Sequence, residues 1–202
     1  GATVWARSLG VAAFSDLGSA VALDGAGNVF VAGQSTIPSF SGVALTNHGR
    51  IFVAKYDNSG NPQWARKAGG GSTGQSDTAT ALAADAAGNV YLAGVFASAA
   101  ANFDGSLALA NEGGLDAFLA RFDGTGGLQW VRQLGGAQES RANGLAVDAG
   151  GNAYIVGEFT GTMQLPGTSL STALSDQNLF IARFSAAGAV DWVRQAGGPL
   201  QD

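Results

Sequence analysis

The stretch Asp85-Ala86-Ala87-Gly88-Asn89-Val90-Tyr91-Leu92-Ala93-Gly94 decides the fold, because the chain carries it three times with little change. Its companions are Asp24-Gly25-Ala26-Gly27-Asn28-Val29-Phe30-Val31-Ala32-Gly33 and Asp148-Ala149-Gly150-Gly151-Asn152-Ala153-Tyr154-Ile155-Val156-Gly157. In each copy an apolar run ends in Asp, passes a Gly-Asn turn and returns as a second apolar run, the pattern of a β-hairpin with a short loop. The Asp is expected to cap backbone N–H groups, and the Gly to supply a positive φ.

The hairpins are spaced by tryptophan. Trp5, Trp64, Trp130 and Trp192 lie 59, 66 and 62 residues apart, each in a Trp-x-Arg strand. A period near 60 accommodates four strands and one enlarged loop. Strands A to D are expected at 20–24, 28–33, 51–57 and 62–67 in the first unit. The second unit has 80–85, 89–94, 117–123 and 128–133, and the third 144–148, 152–157, 179–184 and 190–195. The Trp strand at the start of the chain is then surplus to three complete units.

Composition agrees with this reading. The 202 residues are 46% hydrophobic and only 12% charged, with 32 Gly against 4 Pro, which favours many short strands joined by tight turns. The fold expected is all-β: a propeller or open propeller fragment of three four-stranded blades of about 60 residues plus one surplus strand. It forms a single domain over 1–202, a fragment of a larger protein, with repeats near 9–67, 68–133 and 134–195. The near-continuous apolarity of strands B and C calls for cover on both faces, as stacked sheets give. Small residues such as Ala20, Ala81 and Gly144 suit strand A to an innermost position, while strand D fits a half-exposed outer one.

A net charge of −5 without a basic cluster argues against nucleic acid. Gly, Asp, Asn or Ser interrupts every hydrophobic run before the roughly 18 residues of a spanning helix, so membrane insertion is not expected. Cysteine is absent, which removes disulfides and thiolate metal sites.

The order Trp-x-Arg, Gly-Gly, apolar-Ala-x-Asp-x-x-Gly-Asn-Val-Tyr-x-Ala-Gly and Asp-Ala-Phe-Leu-Ala-Arg-Phe-Asp-x-x-Gly resembles the secreted bacterial β-propeller repeat, SBBP. The resemblance covers nearly the whole chain. It implies a secreted or cell-surface bacterial protein with more blades than these, and it brings no common catalytic residues. The position of Asp116 is Arg50 in the first unit and Asn178 in the third, so an exposed strand entrance is expected there, with no role repeated in each blade.

Residues present in every copy read most economically as framework. Asp24, Asp85 and Asp148 each stand alone, without the several carboxylates calcium prefers, so no metal is expected. In Trp-x-Arg both side chains share a strand face, and cation–π packing that seals the blade edge is favoured over a sugar platform. The lone His48 lacks a Gly-x-Ser-x-Gly partner motif. Gly69-Gly70-Gly71-Ser72-Thr73-Gly74 lacks the Gly-Lys-Ser/Thr ending of a phosphate loop.

Function is therefore sought in residues peculiar to one copy, which gather in the B–C connections (34–50, 95–116, 158–178) and D–A connections (69–78, 135–142). Glu139, Arg141, Glu158 and Phe159 are the candidate ligand-binding residues. The function expected is a noncatalytic scaffold or binding module for protein or glycan, needing no cofactor. The alternative is a glycan-active hydrolase or lyase using Glu139 and Glu158. The isolated chain is expected to self-associate through uncovered faces that include Val29, Val31, Val53, Ile155 and Phe180.

Overall fold

The Asp-x-x-Gly turns close through one bonding scheme. Asp24 N–H donates to Asn28 O at 3.2 Å, Gly27 N–H donates back to Asp24 O at 3.0 Å, and Gly27 has φ 77°. The Asp24 carboxylate accepts the N–H groups of Ala26 and Asn28, both at 2.9 Å. Closely similar turns are built at 85–89 and 148–152, and between the third and fourth strands at 57–61 and 123–127. At 185–189 a serine replaces the Asp, and its hydroxyl accepts a single N–H, from Ala189 at 3.2 Å.

These turns join the strands of a computed structural model that describes residues 3–7, 16–36, 39–40, 43–45, 49–70, 77–103, 107–174 and 176–198. His48 and residues 71–74 of the glycine-rich stretch lie outside the described residues. The first unit contains β1 (Leu17–Leu23), β2 (Val29–Gln34), β3 (Ser39–Phe40), β4 (Val43–Ala44), β5 (Ile51–Tyr56) and β6 (Pro62–Ala68). The second contains β7 (Thr78–Ala84), β8 (Val90–Phe96), β9 (Ala100–Asn102), β10 (Ala108–Ala110), β11 (Asp116–Phe122) and β12 (Leu128–Leu134). The third contains β13 (Ser140–Val147), β14 (Ala153–Thr160), β15 (Thr162–Leu165), β16 (Thr168–Ser171), β17 (Gln177–Phe184) and β18 (Val190–Ala196).

Each unit forms one antiparallel four-stranded sheet, in the orders β1-β2-β5-β6, β7-β8-β11-β12 and β13-β14-β17-β18. These are the A-B-C-D meanders expected from the repeats. Every B–C connection carries a two-stranded hairpin of its own: β3–β4, β9–β10 or β15–β16.

The glycine closing each strand B has a steric cause. A Cβ on Gly94 would stand 2.2 Å from the Thr78 carbonyl oxygen and 2.7 Å from the Phe118 ring. Gly33 and Gly157 meet strand A and the rings of Phe52 and Phe180 in the same way. At this level strand A bulges, between Gly18 and Ala20, Ala79 and Ala81, or Ala142 and Gly144. The extra residue bends the strand and brings its backbone close to strand B.

The sheets stack face to face, with β1 packed on β7 and β7 on β13. Phe30, Ile51, Val53 and Trp64 of the first sheet share one buried cluster with Val90, Leu92 and Phe118 of the second. Tyr91, Leu119 and Trp130 of the second share another with Ile155, Phe180 and Phe184 of the third. The middle sheet is thus covered on both sides, and every residue of β8 is buried. The third sheet is covered on one side only, so buried and more exposed residues alternate along β14.

Two expectations about the faces are corrected. Val53, Ile155 and Phe180 are buried, because they point toward the middle sheet. The uncovered apolar residues are Leu17, Val21 and Leu23 of the first sheet and Val156 and Leu179 of the third. Strand D of the first two sheets is also less open than expected, with Trp64 6% and Trp130 7% exposed, while β18 of the third is half-exposed.

Gly126 has φ 81°, and a Cβ there would approach the Trp64 indole to 2.8 Å. Gly126→Ala is therefore expected to lower stability by about 1–2 kcal/mol from the left-handed backbone alone. Glu139→Gln, at an exposed side chain, should change it by less than about 0.5 kcal/mol. Urea unfolding midpoints of the two variants check the difference.

Candidate functional site

The Trp-x-Arg strands do more than seal their own edges. Trp64 Nε1 donates to Gly124 O at 3.0 Å, and Arg66 Nε donates to Gly126 O at 2.9 Å, both acceptors in the C–D turn of the next sheet. Trp130 Nε1 likewise donates to Ala186 O at 3.0 Å and Arg132 Nε to Gly188 O at 2.8 Å, in the turn of the third sheet. The first sheet's turn is gripped in its place by the surplus segment: Trp5 Nε1 reaches Asn58 O at 3.1 Å and Arg7 Nε reaches Gly60 O at 2.9 Å.

Each clasp is stiffened before it meets its turn. Arg66 and Arg132 lie over the indoles of Trp64 and Trp130, with 5.7 and 5.5 Å from guanidinium carbon to ring centroid. Their Nη1 groups donate to the carbonyls of Ala65 and Val131, both at 2.9 Å. The expected cation–π pairing is therefore present. What the sequence reading missed is the reach into the adjoining sheet, signalled by the recurrence of Trp-x-Arg with the downstream Asp/Ser-x-x-Gly turn.

Donors hold the carboxylates of Asp57, Asp123 and Asp148 below the ordinary range. The Thr125 hydroxyl, 2.6 Å from Asp123 Oδ1, is the main cause that holds Asp123 below the ordinary carboxylate range, outweighing the opposing effect of burial. Asp57 is lowered chiefly by the Asn61 N–H and Asp148 chiefly by the Asn152 side chain. The carboxylates are thus occupied by N–H and O–H donors, the capping role the sequence suggested.

Loop-end aspartates behave differently. Asp116 is fully buried, which corrects the exposed entrance expected for it. Its oxygens accept Glu112 N–H at 3.1 Å, Gly136 N–H at 3.0 Å and the Gln133 amide at 2.8 Å. Burial pushes its carboxyl up, against the lowering effect of these donors. Asp77, also buried, gathers the N–H groups of Gly70, Ala97 and Ser98 and the Ser98 hydroxyl. Both fix the connections around the B–C hairpins. The hairpins are further tied to the preceding strand D, where Gly69 bridges Asn102 and Gly135 bridges Gln164.

The four candidate ligand-binding residues do not form one site. Glu139 and Arg141 make an exposed ion pair at 3.0 Å. Arg141 stands opposite Glu158 in the β13–β14 register. Glu158 borders a shallow hollow of about 300 Å³ with Val156, Gln177 and Leu179, on the uncovered face of the third sheet. Phe159 is withdrawn from this group: side chains alternate along β14, so it points to the opposite face and packs edge-on against Phe180 at 6.5 Å. In the first sheet the residue matching Glu158 is Gln34, whose amide donates to Asp77 O and Thr78 of the second sheet. Glu158 therefore matches the position that Gln34 uses between sheets, but it stands on a face that no sheet covers among the described residues.

Comparison with known proteins bears on this geometry directly. The family described as a beta-propeller repeat, SBBP, matches residues 129–158. The match begins beside Trp130 in β12 and ends in β14, so it contains one clasp and the following A–B hairpin. These residues are similar to an SBBP β-propeller repeat, in line with the resemblance read from the sequence. No curated protein matches the chain. Among the described residues no helix is long and apolar enough to cross a membrane.

Two outcomes follow for the clasp and the turns. Trp64→Ala should cost about 3–5 kcal/mol, as loss of a buried indole does, whereas Trp64→Phe keeps most of the ring and should lose only about 1 kcal/mol with its hydrogen bond. Denaturant titrations separate the two. Because the folded pKa of Asp123 is lowered, its contribution is present above the unfolded value of about 3.9 and is lost as pH falls through the folded value. The melting-temperature advantage of the native protein over Asp123→Asn should therefore shrink between about pH 5 and about pH 2.

Proposed function

We propose that this chain is a noncatalytic β-propeller scaffold or binding module of a secreted or cell-surface bacterial protein. The three sheets are read as consecutive blades of about 60 residues, with Trp5-Ala6-Arg7, which joins no sheet among the described residues, read as part of a blade that precedes them. The contacts to a protein or glycan are assigned to the B–C and D–A connections.

The observation that carries this reading is the division of labour between repeated and unrepeated residues. The repeated Trp, Arg and Asp side chains and the Gly-containing turns are engaged within and between sheets. The B–C hairpins differ in sequence from unit to unit, while buried Asp77 and Asp116 hold the chain around them. A rigid frame presenting variable loops at one end is suited to recognition. Gln164 and Ser169 are exposed and directly opposite each other on the β15–β16 hairpin, where their side chains share a face.

A glycan array probed with the full chain tests the assignment. Binding that weakens about tenfold or more in Gln164→Ala/Ser169→Ala, at an unchanged melting temperature, is the expected result. Cleavage of an arrayed glycan that disappears in Glu139→Gln or Glu158→Gln would instead establish the hydrolase or lyase reading.

A further inference from the structure

The last strand of a sheet is a template for another, because every second residue turns its N–H and C=O outward. β6 and β12 hold that place in the first and second sheets. At their C-terminal ends the outward groups are already taken. Gly135 N–H donates to Gln164 O at 3.1 Å and Gln164 N–H donates back to Gly135 O at 2.7 Å, so β15 begins against the end of β12. Gly69 exchanges the same two bonds with Asn102, at 2.9 and 3.2 Å. Each of these B–C hairpins closes an outward position of the sheet before it.

The register identifies the next outward positions. Pairing of β12 with β11 is regular from Trp130 to Leu134, so Gln133 and Val131, two and four residues before Gly135, face the same way as Gly135. In β6 the same count back from Gly69 gives Lys67 and Ala65. β15 does not follow that far along β12. Two residues past Gln164 stands Pro166, which has no N–H to offer, and a hollow of about 190 Å³ opens there between Glu112, Arg132, Gln133 and Pro166.

Arginine takes over where the hairpin stops. Arg132 Nη1 donates to Val131 O and Arg66 Nη1 to Ala65 O, both at 2.9 Å, and Arg194 treats Val193 O alike at 2.8 Å. Val131 and Ala65 are outward residues by the register, so these carbonyls belong to the free edge. On the far side of each, the pairing of strand C with strand D slips, between Arg121 and Phe122 or Lys55 and Tyr56. Such a bulge twists an edge away from a flat partner.

We propose that Arg66 and Arg132 guard the outer edges of their sheets: each guanidinium fills the outward carbonyl between the bulge and the hairpin, so that an extended peptide finds no continuous row of groups to pair with. This role is separate from the clasp, because it uses Nη1 while Nε is engaged in the adjoining turn. Trp-x-Arg thereby joins neighbouring sheets and closes the edge of its own.

The probe is a fluorescein-labelled synthetic peptide Leu-Gln-Trp-Val-Arg-Gln-Leu, the sequence of β12, titrated with the full chain and read by fluorescence anisotropy. Circular dichroism melts show that each variant is folded. Arg132→Met removes the cap and is expected to bind the peptide about tenfold or more tighter than the native chain. Trp130→Phe weakens the clasp but leaves Nη1 on Val131 O, and is expected to bind it no better than the native chain. Arg132→Lys serves if the methionine variant does not fold: a single ammonium does not reach both the Gly188 and Val131 carbonyls, so capture should still rise. In the complex, hydrogen exchange at the Val131 and Gln133 amides should slow. A folded Arg132→Met or Arg132→Lys variant that captures no more peptide than the native chain overturns the proposal. So does capture that leaves those two amides unprotected, or an equal gain in Trp130→Phe, which would trace it to loosened sheets.

Discussion

The structure depends on a donor–acceptor bond between sheets: an indole N–H and a guanidinium Nε–H reaching two carbonyls of a neighbouring turn. Apolar stacking supplies most of the burial, but it is non-directional and leaves the sheets free to slide. The clasp removes that freedom. Trp64 and Trp130 are almost fully buried, so their N–H groups need acceptors, and the left-handed glycine turn points its carbonyls outward to provide them. A second Trp–turn pair uses the same distances within 0.1 Å, 3.0 and 2.9 Å against 3.0 and 2.8 Å.

Local chemistry prepares each partner for this contact. An Asp at the start of the turn collects backbone donors, which holds the loop through contacts local to it. Stacking of Arg on Trp, with Nη1 anchored on the strand's own backbone, limits the rotamers the guanidinium loses on engagement. In the third turn Ser185 supports the loop with one hydrogen bond in place of the carboxylate's several, yet the carbonyls of Ala186 and Gly188 remain in place. The turn tolerates that exchange because the clasp itself uses backbone acceptors.

Asp116 and Asp77 show a different economy. A buried carboxylate is costly unless its lone pairs are filled, and each of these gathers at least three donors, all from the connections except the Gln133 amide of β12. Asp123 and Asp116 answer acid in opposite senses. Turn residues such as Asp123 lose stabilisation as pH falls, whereas burial makes the protonated form of Asp116 the less costly one.

Apart from the short hairpins in the B–C connections, the sequence by itself determined the strands, the turns and their order. Those features rest on local chemistry, Asp with Gly at fixed spacing and apolar alternation, which reads the same wherever the chain runs. It also singled out Trp-x-Arg. Only the tertiary structure decided where those side chains reach, because a contact 60 residues away leaves no mark on its own strand. Asp116 looked exposed since its copies are Arg50 and Asn178, and nothing local reveals that the loops fold back over it. Phe159 and Glu158 are adjacent in sequence, yet strand pleating sends one into the core and the other to a free face. Which face of a sheet is free is a property of its neighbours, and neighbours are set by the stacking of whole sheets.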